Sequence, residues 1–314
     1  MTFSAQPDPA YGAMRDWMER WSDIETRLSS LLLAPEQASP FGSQLVQTEQ
    51  AARELLDIDG DATLYWLFQL SASSTVGYST SHALVCWALC RLVSRSLGLP
   101  DREQDALAMA ALTMNIAMTR LQDELAEQAT PPSPEQGQQI DAHPEEAVSR
   151  LQSLGISDAL WLQTIAEHHD PQPERLTTRL LQAVDRYTAM ISPRESRPGQ
   201  CVTDSSRFAL LRQGAGPDEL GHALVKTAGI CPPGTFVRLQ DERIAIVLRR
   251  SDRPGEPWGA SILDGRGFPV AEPALIDTGD DEGEGIAAAL VTQTVRVRLN
   301  HTRLLQLSRM ALAR

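Results

Sequence analysis

The sequence predicts a mainly α protein that closes with a small β-rich module. Three observations lead there. Apolar residues recur three and four positions apart through most of the first 190 residues, they alternate with polar ones after residue 230, and Pro- and Gly-rich stretches separate the periodic segments. With 314 residues, 42% of them hydrophobic, the chain can fill a sizeable core and has the length of about two domains. The pattern divides it into a helical N-terminal segment (1–75), a helical domain (76–230) and a C-terminal module (231–314).

Taken in order, 14–33 and 43–58 carry the amphipathic signal, with Met14, Trp17, Trp21, Ile24, Leu28 and Leu31 on one stripe. The stretch 79–97 starts at Ser/Thr cap candidates and stops at Gly98, which predicts a buried helix. A further helix is expected over 102–127, entered through Pro100 and Asp101. EQATPPSPEQGQQ (127–139) reads as a break. Pro144 then stands at a first helical position with Glu145 and Glu146 behind it, for a helix ending at Gly155. Helices near 157–169, 174–191 and 217–228 follow, with ISPRESRPGQ as a loop. CPPGTFVRLQDERIAIVLRR, WGASILD and LVTQTVRVRLN alternate as strands do, and GDDEGEGI (279–286) reads as a solvated acidic loop.

The 28 basic and 41 acidic side chains give a net charge of −13, which disfavours a nucleic-acid backbone or an anionic membrane surface as partner. No basic stretch followed by an apolar one opens the chain, and the longest apolar run, near 107–118, is too short to span a bilayer. A cytoplasmic location is therefore expected. Cys86, Cys90, Cys201 and Cys231 show no paired metal spacing and are expected to be small core residues kept reduced.

Four of the six histidines, His82, His143, His168 and His169, fall within 79–170, ahead of Asp185. Imidazoles from separate helices with a carboxylate suit Fe, Mn or Zn, although single helix histidines also serve as hydrogen-bonded core or surface residues. Their order adds more: Ser81-His82, an apolar helix, His143-Pro144, His168-His169-Asp170, VDRYTAM (184–190), then an Arg-containing loop. This series resembles the HD-GYP branch of the HD phosphohydrolase superfamily. AGICPPGTFVRLQDERIAIVLRR (228–250) likewise resembles the Gly-x-x-Pro-Pro-Gly-x-x-Val-x-Leu segment that follows the helical domain there. The resemblance covers about 76–250 and implies an HD-type helical bundle holding two or three iron or manganese ions that hydrolyse cyclic di-GMP. By position it implies His82 as the first metal histidine, His143 as that of the His-Pro pair, His168 and His169 as the double histidine, and Asp185 as the late aspartate. Tyr187 and Met190 fall on the signature after it, and Arg194 on a ligand-binding arginine.

The departures concern the chemistry. Where the resemblance expects His-Asp-x-Gly-Lys, this chain reads Met114, Asn115, Ile116, Ala117 and Met118, and a thioether and a neutral amide do not bridge two cations. The Gly-Tyr-Pro loop is absent, and Tyr78 stands where three-metal members carry a glutamate. These changes argue against a full binuclear centre and leave either no metal or one divalent ion (Fe, Mn or Zn). The expected function is that of a degenerate HD-GYP-like protein without cyclic di-GMP phosphodiesterase activity, acting as a regulatory or partner-binding module. The alternatives are a residual metal-dependent phosphohydrolase and a non-hydrolysing receptor for cyclic di-GMP or another nucleotide. Asn115 is expected to be a buried amide paired with His82 and Asp185, Tyr187 to be core, and Arg194 and Arg197 to be loop charges unless they meet a ligand. A protein partner or a second copy of the chain would dock near Trp17 and Trp21.

Overall fold

The structure is a computed structural model that describes residues 9–73, 77–196, 199–200, 202–205, 219–253, 255–280 and 284–312. Helix α1 (Pro9–Leu33) turns the Trp17, Trp21, Ile24, Leu28 stripe inward, and α2 (Phe41–Ile58) and α3 (Gly60–Ser73) pack beside it. The central helix is α4 (Tyr78–Ser96), buried without interruption from residue 78 to residue 91: residues 83–90 are apolar on every side, and the polar Ser79, Thr80, Ser81, His82 and Arg91 are buried with them. The N-terminal helices share its core: Trp17 meets Trp66 edge-on at 6.2 Å and Trp21 meets Trp87 at 6.5 Å. The expectation of a partner surface at Trp17 and Trp21 is therefore corrected, because their exposures of 5% and 0% leave nothing for a partner to cover.

Around α4 lie α5 (Asp101–Thr113), α6 (Thr119–Glu127), α7 (Pro134–Ser153), α8 (Ala159–Ala166), α9 (Leu176–Ile191) and α10 (Glu219–Ala228). Two expected boundaries move. The helix over 102–127 is broken at 114–118, where tight-turn bonds (Ile116 N–H to Thr113 O at 3.0 Å, Met118 N–H to Asn115 O at 2.9 Å) replace the helical ladder and long-range side-chain bonds flank the break. Trp161 Nε1 donates to Thr113 Oγ1 at 2.9 Å, and Arg150 Nη1 donates to the carbonyl of Ile116 at 3.0 Å. Helix α7 begins ten residues before Pro144, because Ser133 and Gln136 form a reciprocal cap around Pro134. The helix then runs on through Pro144, which leaves one backbone hydrogen bond unmade.

The C-terminal sheet is antiparallel throughout, in the order β4-β3-β2-β1-β5, with β1 (Phe236–Leu239), β2 (Ile244–Arg249), β3 (Trp258–Leu263), β4 (Leu275–Asp277) and β5 (Ile286–Ala289). Alternation assigns its faces. Ile246, Leu248, Ala260 and Ile262 join the helical core, while Val237, Leu239, Ala245 and Val247 form a smaller one. Gly234, at φ +93°, brings the Pro-Pro-Gly turn against α3, where a Cβ would stand 2.9 Å from the Tyr65 carbonyl oxygen. LVTQTVRVRLN forms no described strand: Val295, Val297 and Leu299 pack on the core as irregular chain. The fifth strand instead starts at the end of the acidic stretch, of which 281–283 lie outside the described residues. A final helix, α11 (His301–Ala311), is capped by Asn300 and packs on α1, β2 and β3.

Two buried ionic groups tie these parts together. Glu49 on α2 accepts from Arg91 on α4, with Nε at 3.0 Å and Nη2 at 2.5 Å. Arg249 at the end of β2 reaches Asp59 at 2.5 Å and Asp61 at 3.2 Å, and Arg250 reaches Asp61 at 2.5 Å. Among the described residues no helix is long and apolar enough to cross a membrane. Cys86, Cys90 and Cys231 are buried and form no disulfide, and Cys201 lies outside the described residues.

Candidate metal centre

The folded chain gathers the predicted histidines into two adjoining groups. His143 on α7 and His168, just past α8, are buried and face each other with their Nε2 atoms 3.1 Å apart. The other nitrogen of each ring meets a carbonyl, His143 Nδ1 at 2.5 Å from Ile140 O and His168 Nδ1 at 2.6 Å from Ile165 O. A carbonyl only accepts, so both Nδ1 atoms carry the hydrogen and, in the neutral rings, both Nε2 atoms present lone pairs. Two lone pairs at this distance require a proton or a cation between them. Burial lowers the pKa of His143, and burial first, then the His169 charge, lowers that of His168 to about 4. Near neutral pH the pair is thus unprotonated and fits a metal ion, with both tautomers fixed from behind as metal-binding histidines need.

The placement of these carbonyls has a sequence origin. Ile165 lies at the end of α8, where its carbonyl accepts from the His168 N–H at 3.3 Å and has a second lone pair for His168 Nδ1. In α7 the N–H that would bond Ile140 O belongs to residue 144, and Pro144 has none, so that oxygen is left for His143. Pro144→Ala is expected to keep or raise thermal stability yet weaken metal binding on the order of 10-fold, as measured by calorimetric titration with Zn²⁺. Unchanged affinity would refute this role.

His169, exposed to solvent, completes the first group, its ring centroid 4.1 Å from that of His168 and 5.1 Å from that of His143. The ligand atoms of these three histidines lie within 4.8 Å of one another. The second group consists of His82, Cys86 and Asp185. His82 Nε2 is 2.8 Å from Asp185 Oδ1 and 3.5 Å from Cys86 Sγ, and His82 Nδ1 is buried without a hydrogen-bond partner. Burial disfavours a charged His82, but Cys86 and Asp185 outweigh it and raise its pKa to about 10. Burial likewise works against the Asp185 carboxylate, which hydrogen bonding to His82 and the neighbouring imidazoles nevertheless hold down at about 2. The Asp185 charge is also felt at His143 and His168, so it lies between the two groups.

Arg194 is a correction to the reading as a free loop charge. It donates to Tyr78 Oη from Nη2 at 3.1 Å and from Nε at 3.3 Å, and its guanidinium sits 5.1 Å from that ring's centroid. Tyr78 in turn stacks on His82 at 5.6 Å and 18°. Arg197 lies outside the described residues.

Asn115 is also corrected. It is half-buried and forms no hydrogen bond with His82 or Asp185, which pair with each other through Nε2 and Oδ1. Instead Met114 and Asn115 line a small gap with Ser79, Ala83 and Gln122, against the α4 residues that flank His82. Met118 is half-buried and Tyr187 is buried as expected. The start of the turn at 114–118 thus lies against Ser79 and Ala83 of α4, and the turn carries neither charge nor carboxylate. Cys86 is buried as the core residue expected, and its place one turn after His82 on a single helix brings it to that ring.

No family model matches the chain. The cyclic di-GMP phosphodiesterase PA4108 of Pseudomonas aeruginosa is 22% identical over 270 residues, which span 81% of this chain and 64% of that protein. The chain thus spans a little under two thirds of that relative's length. Among solved structures, Bd1817, an HDG"Y"P protein from Bdellovibrio bacteriovorus, superposes with a TM-score of 0.53 at 14% identity, covering 72% of this chain and 74% of that one. Both similarities support the HD-GYP branch as the family this chain resembles, and the structural one identifies the fold.

Proposed function

We propose that this HD-GYP-like chain holds one divalent ion through His143, His168 and His169, with His82 and Asp185 beside it. In this reading it serves cyclic di-GMP signalling as a regulatory or partner-binding module without hydrolysing the dinucleotide. The observation that carries the metal is the facing Nε2 pair, each ring locked through its Nδ1. Three imidazoles suit Fe, Mn or Zn. Against hydrolysis stand Met114, Asn115 and Met118. Cleaving a phosphodiester by a two-metal route needs a bridging ligand between the cations and positive charge on the phosphoryl oxygens, and these three side chains supply neither. The similarity to a cyclic di-GMP phosphodiesterase supports that dinucleotide as the ligand to test first. A second reading, a residual single-metal phosphohydrolase, is favoured by the exposure of His169, which leaves the ion within reach of water and substrate.

Protein purified without chelator is expected to contain a divalent metal whose content falls by about one equivalent in His168→Ala, the count that a three-histidine site gives. Incubated cyclic di-GMP, followed by chromatography, is expected to stay intact. Turnover that disappears in His168→Ala would overturn the silent reading and select the hydrolase. Dinucleotide binding without turnover would select a receptor as the form of regulation.

A further inference from the structure

We infer that residues 295–299 are a docking strand that pairs with an extended, acidic segment of a partner protein. The inference rests on the reading of the chain as a partner-binding module and gives that reading a surface. VRVRL has the composition of a strand, two valines and a leucine alternating with arginine, and the alternation survives in the fold. Val295, Val297 and Leu299 pack on the core, while Arg296 and Arg298 are exposed. Val295 has extended backbone, at φ −102° and ψ 104°. What the segment lacks is a ladder. The N–H of Val295 turns back to Thr292 O at 3.0 Å, and among the described residues no hydrogen bond reaches 296–299 through backbone or side chain. An irregular surface loop also leaves its backbone to water, but it has no reason to keep a burial period of two. A strand anchored by one face, with its backbone unpaired, is what an added strand completes.

Charge selects the occupant. Arg296 and Arg298 make no ion pair among the described residues, although the chain carries 41 acidic side chains. Two residues apart on one face of an extended chain, they are spaced to meet carboxylates at alternate positions of an opposed strand. A second copy of the chain fits worse. Antiparallel pairing of the segment with itself, centred on Val297, sets Arg296 opposite Arg298, and like charges directly opposite destabilise a sheet. The net charge of −13 disfavours nucleic acid. The segment is also fixed at both ends. It follows the short turn Thr292–Thr294 and runs into α11, where Asn300 caps the helix and His301 Nδ1 lies 2.9 Å from Tyr65 Oη. The strand conformation is in place before a partner arrives, so little ordering remains to oppose binding.

The test uses the full chain and a fluorescent synthetic peptide that alternates valine with glutamate, with anisotropy as the readout. The peptide is expected to bind, and to bind about 10-fold more weakly to a chain carrying Arg296→Ala and Arg298→Ala, the loss of two exposed ion pairs. Arg296→Glu with Arg298→Glu should lose that peptide and gain one in which lysine replaces glutamate. The valine–glutamate peptide N-methylated throughout keeps its charge but has no ladder donors, and should not bind. This last measurement leaves the chain unaltered, so it decides even if the arginine variants do not fold. Cyclic di-GMP turnover is followed on the same unaltered chain, and its appearance would fail the silent reading without touching the peptide result. No binding of the valine–glutamate peptide, equal binding of its N-methylated form, or equal binding to the doubly reversed chain would each overturn the assignment. Concentration-dependent self-association that the charge reversal abolishes would overturn it in favour of a second copy.

Discussion

Arg249→Ala is expected to destabilise the protein by about 3–5 kcal/mol, the cost of removing one partner from a buried ion pair. The guanidinium spans two carboxylates from the start of α3, with Nη2 on Asp59 and Nη1 on Asp61, and its Nε donates to the Ser308 carbonyl of α11. Its loss leaves Asp59, 8% exposed, with no cation. Asp59 is already engaged as the cap of α3, accepting from the Ala62 N–H at 3.0 Å, so it has little freedom to turn toward water. Asp61 retains Arg250, and Arg250→Ala, at a half-buried position, is therefore the milder change. The measurement is the denaturant midpoint at constant slope. Removing both charges together, as Asp59→Ala with Arg249→Met, should recover much of the loss, because the dominant penalty is the stranded charge. A loss below about 1 kcal/mol for Arg249→Ala would place the pair with exposed bridges instead.

Glu49→Ala should cost a similar amount, about 3–5 kcal/mol. One oxygen, Oε1, accepts from Arg91 Nε, from Arg91 Nη2 and from Trp87 Nε1, all in the core between α2 and α4. Without it the arginine, 3% exposed, keeps only Asp105, and the indole N–H is left unpaired. Asp105 is 55% exposed in its side chain, so Asp105→Ala should cost under about 1 kcal/mol. The contrast between these two acidic partners of one arginine, measured by thermal and denaturant unfolding, tests burial as the cause.

Much of the fold was legible because periodicity reports which residues are buried. The Trp17, Trp21, Leu28 stripe and the uninterrupted apolar run of α4 gave helices of the right kind in the right place. What periodicity does not report is a bond to a distant residue. The break at 114–118 is flanked by side-chain bonds from Trp161 and Arg150, and α7 starts at a cap on Ser133, well upstream of Pro144. The last helix was missed for a plainer reason: its Leu304, Leu307, Ala311 spacing is helical but follows an alternating stretch that reads as more strand. At the candidate site, order along the chain identified the five predicted ligand positions, and the structure brings them together. It gave no sign that Asn115 would turn from His82, whose Nε2 pairs with Asp185 instead. Nor did it show that Arg194 would lie on Tyr78, a contact between residues 116 apart.

The Arg249 clamp also imposes an order on synthesis. Asp59 and Asp61 are made 190 and 188 residues before the arginine that pairs with both, and Tyr65 precedes its hydrogen-bond partner His301 by 236. Chains usually fold domain by domain from the N-terminus as they emerge, yet here the first three helices wait for the last strands and helix before their polar ends are satisfied. Closing contacts over such separations is entropically costly and slow. The nascent N-terminal helices therefore leave the ribosome with two aspartates still in water, and their packing against the sheet waits for Arg249 and Arg250.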